Sequence, residues 1–293
     1  MSSLEQRFTH RQYMLGSNFE FFHYKDEPEL EVEYHNHDFY EIYFFISGKV
    51  TYVVEGKSYS LKPGDILLVN DKELHKPIIE QGGIYERIVI WVNPDFIKRF
   101  CTKDTDLFMC FETTSKNKYN LLRPGAETLS IIRSLVTKLN RAWSSISYGS
   151  AVLKELYLAE LMVYLNRAYL DTSIDNIEED IVYDDTINDI IHYINQNLNG
   201  DLSLEALSVR FYTSKYHLLR QFKKHTGYTL HSYIHQKRLI MAKALLKEGL
   251  SITSVCQNCG FNDYSNFIRV FSKAFNISPK KYARQFSEET FIS

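Results

Sequence analysis

Residues 251–284 read SITSVCQNCGFNDYSNFIRVFSKAFNISPKKYAR, and this stretch decides the fold of the C-terminal third of the chain. Ile252, Val255, Cys256 and Cys259 recur at helical spacing and predict one short helix with a single buried face. Gly260 ends that helix, because a residue without Cβ takes the positive φ of a helix terminus at little cost. Asn262 or Asp263 caps the next helix, whose apolar stripe is Phe267, Val270, Phe271 and Phe275. A short helix, a glycine turn and a second helix with a polar start make a helix-turn-helix, which offers the second helix to a major groove.

Working outward, the same grammar occurs once more in residues 202–227, LSLEALSVRFYTSKYHLLRQFKKHTG. Leu204 and Leu207 mark a first short helix, Phe211-Tyr212 the turn, and Thr213 or Ser214 the cap of a second helix that carries Leu218 and Phe222 and stops at Gly227. The segments LRQFKK (219–224) and IRVFSK (268–273) align as an internal repeat. Between the copies, residues 229–248 contain neither Pro nor Gly and predict one helix with Tyr233, Leu239, Ala242 and Leu246 inward. Twenty helical residues span about 30 Å. Successive major-groove faces on one side of DNA lie about 34 Å apart. A single connector therefore suits two reading heads one DNA turn apart.

These residues resemble the DNA-binding domain of the AraC/XylS family of transcription regulators over roughly Asp184–Gln285. The most specific part runs from Ile252 through Gly260, Phe261, Asp263, Ser265, Phe267, Arg269 and Phe271 to Ser278, Pro279 and Tyr282. The chain departs from the family at Asn276 in place of glycine, at Cys256 and Ser208 in place of alanine, and at Ala283, where the usual arginine comes one position later as Arg284. Asn276 fits, since asparagine also visits the left-handed region. The resemblance implies a double-stranded DNA partner, with RNA polymerase as a further one.

Charge is divided in the same way as the motifs. The 293 residues carry a net charge of −2, yet residues 201–284 hold fourteen bases against four acids. That segment is +10 and the remainder −12, as in a DNA-binding head on a body that binds something else. No apolar run is long enough to span a bilayer, and four cysteines make no disulfide framework. A cytoplasmic protein without a membrane partner is expected.

In the N-terminal half, residues 34–47 (YHNHDFYEIYFFIS) and 50–70 read as short strands broken by Gly48, Gly56 and Pro63-Gly64, which suggests a sandwich or a barrel. Strand parity places His35, His37, Phe39, Glu41, Tyr43 and Phe45 on one face. The spacing His35, His37, Glu41, Gly48, then Pro63-Gly64-Asp65 and His75 resembles the two motifs of the cupin barrel over about Glu31–Trp91. In that superfamily the positions of His35, His37, Glu41 and His75 are metal ligands, and such a set suits Zn, Fe, Mn or Ni. Sensory domains of AraC-type regulators often keep part of this pattern while binding an organic effector without metal, so both readings stay open. His35, His37, Glu41, Tyr43 and His75 are the effector-binding candidates in either reading, with Trp91 and Arg87 as further ones. Aromatic residues mixed with acids and imidazoles suit a small molecule such as a sugar.

Residues 126–143 and 150–169 are helical in period, with stripes Leu129, Ile132, Leu135, Val136, Leu139 and Val152, Leu156, Leu161, Val163, Leu165. In the resembling family such a pair commonly makes a homodimer interface; covering the barrel is the plainer alternative. Residues 171–185 are acidic and without apolar period, and predict a linker. The expected organisation is α+β and multidomain. It comprises a cupin-like β-barrel (1–125), a helical dimerisation pair (126–170), a linker (171–185) and an all-α domain with two helix-turn-helix motifs (186–293).

For DNA readout, Lys215, Tyr216 and Arg220 in the first head and Ser265, Asn266 and Arg269 in the second are the expected groove residues. Arginine bridges guanine O6 and N7, and asparagine suits adenine; the family resemblance adds weight to Tyr216 and Ser265. Lys224 and Lys273 are expected on phosphates. Cys256 and Cys259 read as buried structural thiols. Two functions follow: an effector-responsive, non-enzymatic DNA-binding regulator, or a metal-dependent cupin enzyme (dioxygenase or sugar isomerase) with a helical appendage.

Overall fold

The computed structural model describes residues 11–27, 32–112, 119–171 and 177–287. The chain divides into two compact units, Met1–Tyr183 and Asp184–Ser293. The first is built on two antiparallel sheets. One orders its strands β1 (Phe19–Asp26), β7 (Tyr85–Val92), β2 (Tyr40–Ser47), β5 (Ile66–Val69) and β8 (Leu121–Leu122). The other runs β6 (His75–Ile79), β3 (Val50–Val54), β4 (Lys57–Ser60) and β9 (Ile181–Val182).

The near-continuous apolar sequences of β2 and β7 have a simple cause: both faces of their sheet are covered. Ile42, Phe44, Ile88 and Ile90 point to a core shared with two helices, α2 (Ala126–Trp143) and α3 (Ser150–Asp171). Tyr43, Phe45, Val89 and Trp91 point the other way and pack with Tyr52, Val54 and Tyr59 of the second sheet. Among the described residues no strand pairing joins the two sheets, so the cupin-like layout is an open two-layer arrangement instead of a closed ring.

The helical pair belongs to this unit. Ile132, Leu135, Val136 and Leu139 of α2 meet Leu158, Leu161, Met162 and Leu165 of α3 in the outer core. Val152 and Leu156, expected in the buried stripe of α3, are instead 61% and 53% exposed. After the short helix α1 (Pro94–Lys98), capped by Asn93, the chain returns through β8 to α2.

The acidic stretch expected as a linker is only partly one. Residues 172–176 lie outside the described residues, but Ile177 and Ile181 are buried in the core between the sheets, and β9 pairs with β4 through Ser58–Val182 and Tyr59–Ile181. The acids are not simply solvated. Asp180 accepts from Arg123 Nη1 at 2.7 Å and from Lys62 Nζ at 2.5 Å, bases that lie far away in sequence.

The second unit comprises α4 (Asp185–Gln196), α5 (Leu204–Arg210), α6 (Lys215–Thr226), α7 (Leu230–Lys247), α8 (Ile252–Asn258), α9 (Tyr264–Phe275) and α10 (Pro279–Ser287). Side chains of Asp184, Ser203, Ser214, Thr229, Ser251 and Asp263 cap α4 to α9 in turn, each accepting an N–H that the helix cannot satisfy itself. Gly227 (φ 75°) and Asn276 (φ 54°) take the left-handed conformation that ends α6 and α9. Phe267 and Phe271 of α9 are fully buried against Leu239, Ala242, Leu246, Val255 and Cys256.

Candidate functional site

Between the sheets, the segment before β2, β2 itself and the start of β6 bring His37, Glu41 and His75 together. One donor atom from each lies within 4.8 Å of the others, and all three side chains are buried. His37 Nδ1 lies 2.7 Å from the Phe39 carbonyl and His75 Nδ1 lies 3.0 Å from the Glu73 carbonyl. A carbonyl only accepts, so both Nδ1 atoms carry the proton, and Nε2 is the ring nitrogen each histidine turns inward. Nε2 of His75 is buried and has no hydrogen-bond partner among the described residues. His37 Nε2 lies 3.8 Å from Glu41 Oε2.

The carboxylate is held from the far side. Tyr52 donates its hydroxyl to Glu41 Oε1 at 2.9 Å, and Trp91 Nε1 donates to Oε2 at 3.0 Å. Burial raises the Glu41 pKa against the opposing effects of His35, Tyr52 and Trp91. Burial, with His35 and His37 adding to it, holds His75 well below the usual imidazole range. A mixed imidazole and carboxylate set with oriented tautomers and a hydrogen-bonded carboxylate fits a divalent metal.

His35, the fourth ligand implied by the cupin resemblance, stands beside this set. Its backbone pairs with that of His75 in both directions (3.1 and 3.0 Å), and the two ring centroids lie 4.4 Å apart. Its Nδ1 is engaged with the Glu33 carbonyl at 2.9 Å, and it is not one of the three converging donors. Tyr43 faces the same interior and shares a hydrogen bond with Tyr85. Arg87 stacks over Tyr85 and pairs with Asp26 at 2.6 Å. Of the residues round Glu41 and Tyr43, Tyr52 and Tyr85 were not among the candidates. Their inward parity on β3 and β7 was the available signal.

In the second unit, α6 and α9 each bury one face and expose the start of the other. Lys215, Tyr216, Arg220 and Lys224 are exposed on α6, as are Ser265, Arg269 and Lys273 on α9, with Asn266 half-buried. Lys215 pairs with Glu205 on α5. Asn266 donates its backbone N–H to Asp263 Oδ1 at 2.5 Å and accepts on its own Oδ1 from Arg269 Nη2 at 2.8 Å. Cys256 and Cys259 are buried free thiols, and burial pushes that of Cys259 up to about 12, which suits packing and not reactivity. No helix among the described residues is long and apolar enough to cross a membrane.

Two family models match the sequence, a helix-turn-helix domain over residues 207–285 and an AraC-like ligand binding domain over residues 20–162. The chain is similar to the HTH-type transcriptional activator RhaS of Salmonella schwarzengrund (strain CVM19633), with 27% identity over 261 residues, 86% of this chain and 88% of that one. Among solved structures, ToxT from Vibrio cholerae covers 91% of this chain and 98% of its own at 16% identity and a TM-score of 0.37. The DNA-binding domain of AdpA, in complex with a target DNA, covers 36% of this chain and 96% of its own at 22% identity and a TM-score of 0.34.

Proposed function

The chain belongs to the AraC/XylS family of transcription regulators, and from that premise we propose how its two units divide the work. The first turns of α6 and α9 enter consecutive major grooves of one duplex. Arg220, Arg269 and Asn266 read base edges with Lys215, Tyr216 and Ser265 beside them, while Lys224 and Lys273 hold phosphates. The sheet unit senses a small molecule, with a carbohydrate as the favoured class, through His35, His37, Glu41, Tyr43 and His75. Hydroxyl-rich ligands suit a site that combines imidazoles, a carboxylate acceptor and tyrosine hydroxyls.

The observation that carries this reading is the duplicated head: two capped helices, each with a buried aromatic face and an exposed polar start, on either side of α7. The exposed Val152 and Leu156 of α3 suit a second copy of the chain. Because the RhaS relatives are named transcriptional activators, activation through RNA polymerase is the proposed outcome, in the cytoplasm and without catalysis. An effector acts only by its differential affinity for two DNA-presenting states. The test is binding of the full chain to DNA upstream of its own gene. Salt-dependent, sequence-preferring association supports the reading, and sequence-indifferent binding opposes it.

The donor set favours a second reading. His37, Glu41 and His75 would hold a divalent metal such as Zn, Fe, Mn or Ni, which would supply a Lewis-acid anchor for a ligand oxygen. Metal content of the purified chain separates the readings. A stoichiometric redox metal with turnover of a sugar or an aromatic substrate favours the cupin enzyme. Metal-free protein whose DNA binding still responds to a small molecule favours the regulator alone.

A further inference from the structure

The second head is tied through α7 and also, directly, to the loop that leads into the first head. The loop between α4 and α5 passes behind the turn of the second head, where the position that a Cβ on Gly260 would take lies 2.4 Å from the Leu198 carbonyl oxygen. Only a residue with no side chain allows so close an approach, and Gly260 also has a φ of +72°. Arg238, near the middle of α7, closes this junction. Its Nε donates to the Leu198 carbonyl at 2.9 Å and its Nη2 to the Gly200 carbonyl at 3.3 Å. The same guanidinium lies against the Gly260 turn, 2.9 Å from that Cβ position. Two pieces of chain, the loop that leads into the first head and the turn of the second, thus converge on one side chain of α7.

We infer that Arg238 is a positioning residue for DNA recognition: it locks the loop that leads into the first head to the turn of the second and so fixes the relative orientation of the heads on the duplex. This rests on the reading that both heads engage one DNA. The chemistry favours arginine in particular, because its planar fork serves two carbonyls at once while a lysine ammonium offers a point charge. Arg238 carries none of the exposed groove residues of α6 or α9, so its effect is on the coupling of the heads and not on either contact surface. Two heads held at the right separation act at a high effective concentration toward each other's half-site, and a loosened junction lowers it.

The experiment uses the full chain and a duplex that the parent protein selects from a random pool. Affinity is measured for that duplex, for the same duplex with one half-site scrambled, and for one with five base pairs inserted between the halves. The parent should lose about a hundredfold on either change. Arg238→Ala should bind the scrambled duplex like the parent but show a penalty reduced by about tenfold, because it gains little from the second site. Arg238→Lys should fall between, and Gly260→Ala should repeat the Arg238→Ala result by steric means. An unchanged penalty in Arg238→Ala overturns the assignment, as does a parallel loss on all three duplexes together with a lowered Tm, which marks a purely structural role. If the parent itself shows no penalty for scrambling, the two-headed reading fails, and the assignment falls with it for that separate reason.

Discussion

Nη2 of Arg269 donates to Oδ1 of Asn266 at 2.8 Å, so two of the side chains proposed to read bases are bonded to one another before DNA arrives. Asn266 is itself fixed at the start of α9, where its N–H bonds the capping carboxylate of Asp263. The arginine is therefore aimed from a rigid base, and less rotamer freedom is lost when it meets a guanine.

Arg269→Ala should cost about 1–3 kcal/mol of DNA affinity and relax preference at one base position. Asn266→Ala should cost less and act partly through the freed arginine. Lys273→Ala should weaken all sequences alike and lower the salt slope by about one. Fluorescence anisotropy across a salt series with single-base variants of the selected duplex distinguishes these. Equal losses on every base variant for Arg269→Ala would assign it to phosphate.

A second prediction concerns the path of chain that leads to Asp184. Arg123 grips the buried Asp65 through two parallel bonds, Nε to Oδ1 and Nη2 to Oδ2, each 2.8 Å, and spends its remaining nitrogen on Asp180. Arg123→Ala removes the counter-charge of a buried carboxylate, leaving it the Lys62 backbone N–H at 2.8 Å, and should destabilise the sheet unit by about 2–4 kcal/mol. Arg123→Lys should restore less than half of that, because it cannot pair bidentately. Thermal unfolding of the sheet unit checks both. A Tm within a degree of the parent would contradict the ion-pair account.

Lys57 supplies a pH test. It is buried, its ammonium lies 4.8 Å from the Tyr119 ring centroid and 5.8 Å from that of Tyr183, and burial lowers its pKa to about 8 in spite of Glu73. The folded pKa is below the unfolded one, so the charged lysine costs stability at neutral pH. That cost is relieved as pH rises from about 8 to 10.5. The shift corresponds to about 3 kcal/mol, offset by two cation–π contacts of about 0.5–1 kcal/mol each. Lys57→Met should therefore be more stable than the parent by about 1–2 kcal/mol at pH 7, a lead that shrinks by more than half at pH 10.5. Denaturant midpoints at the two pH values measure it; a lead independent of pH would contradict the burial argument.

Leu156 lies four residues after Val152 and three after Leu153, and all three put apolar side chains into water at the start of α3. Leu156→Asp should leave the fold intact and convert a dimer to a monomer in sedimentation velocity at micromolar concentration. A parent that is already monomeric there would remove this surface from the account.

Much of this was legible because the signals are local. The caps at Ser214 and Asp263 and the left-handed Asn276 each follow from a few neighbouring residues. His37, Glu41 and His75 were legible through motif spacing together with strand parity. What escaped is long-range. The bond from Arg123 to Asp180 spans 57 residues and turns an acidic stretch, which reads as solvated, into an edge strand. The exposure of Val152 and Leu156 escaped because a helix that is apolar on more than one side does not announce which side is covered. Arg238 looks like one more base on a basic helix until Leu198, Gly200 and Gly260 are seen around it.

The central claim is that α6 and α9 clamp one duplex at consecutive grooves, and hydroxyl-radical footprinting of the full chain on its selected duplex tests it most directly. The account predicts two protected patches on one face of the DNA, centred about 10 base pairs apart. In Arg220→Ala the first patch should fade, and in Arg269→Ala the second. A single protected patch, or two on opposite faces of the helix, would contradict it.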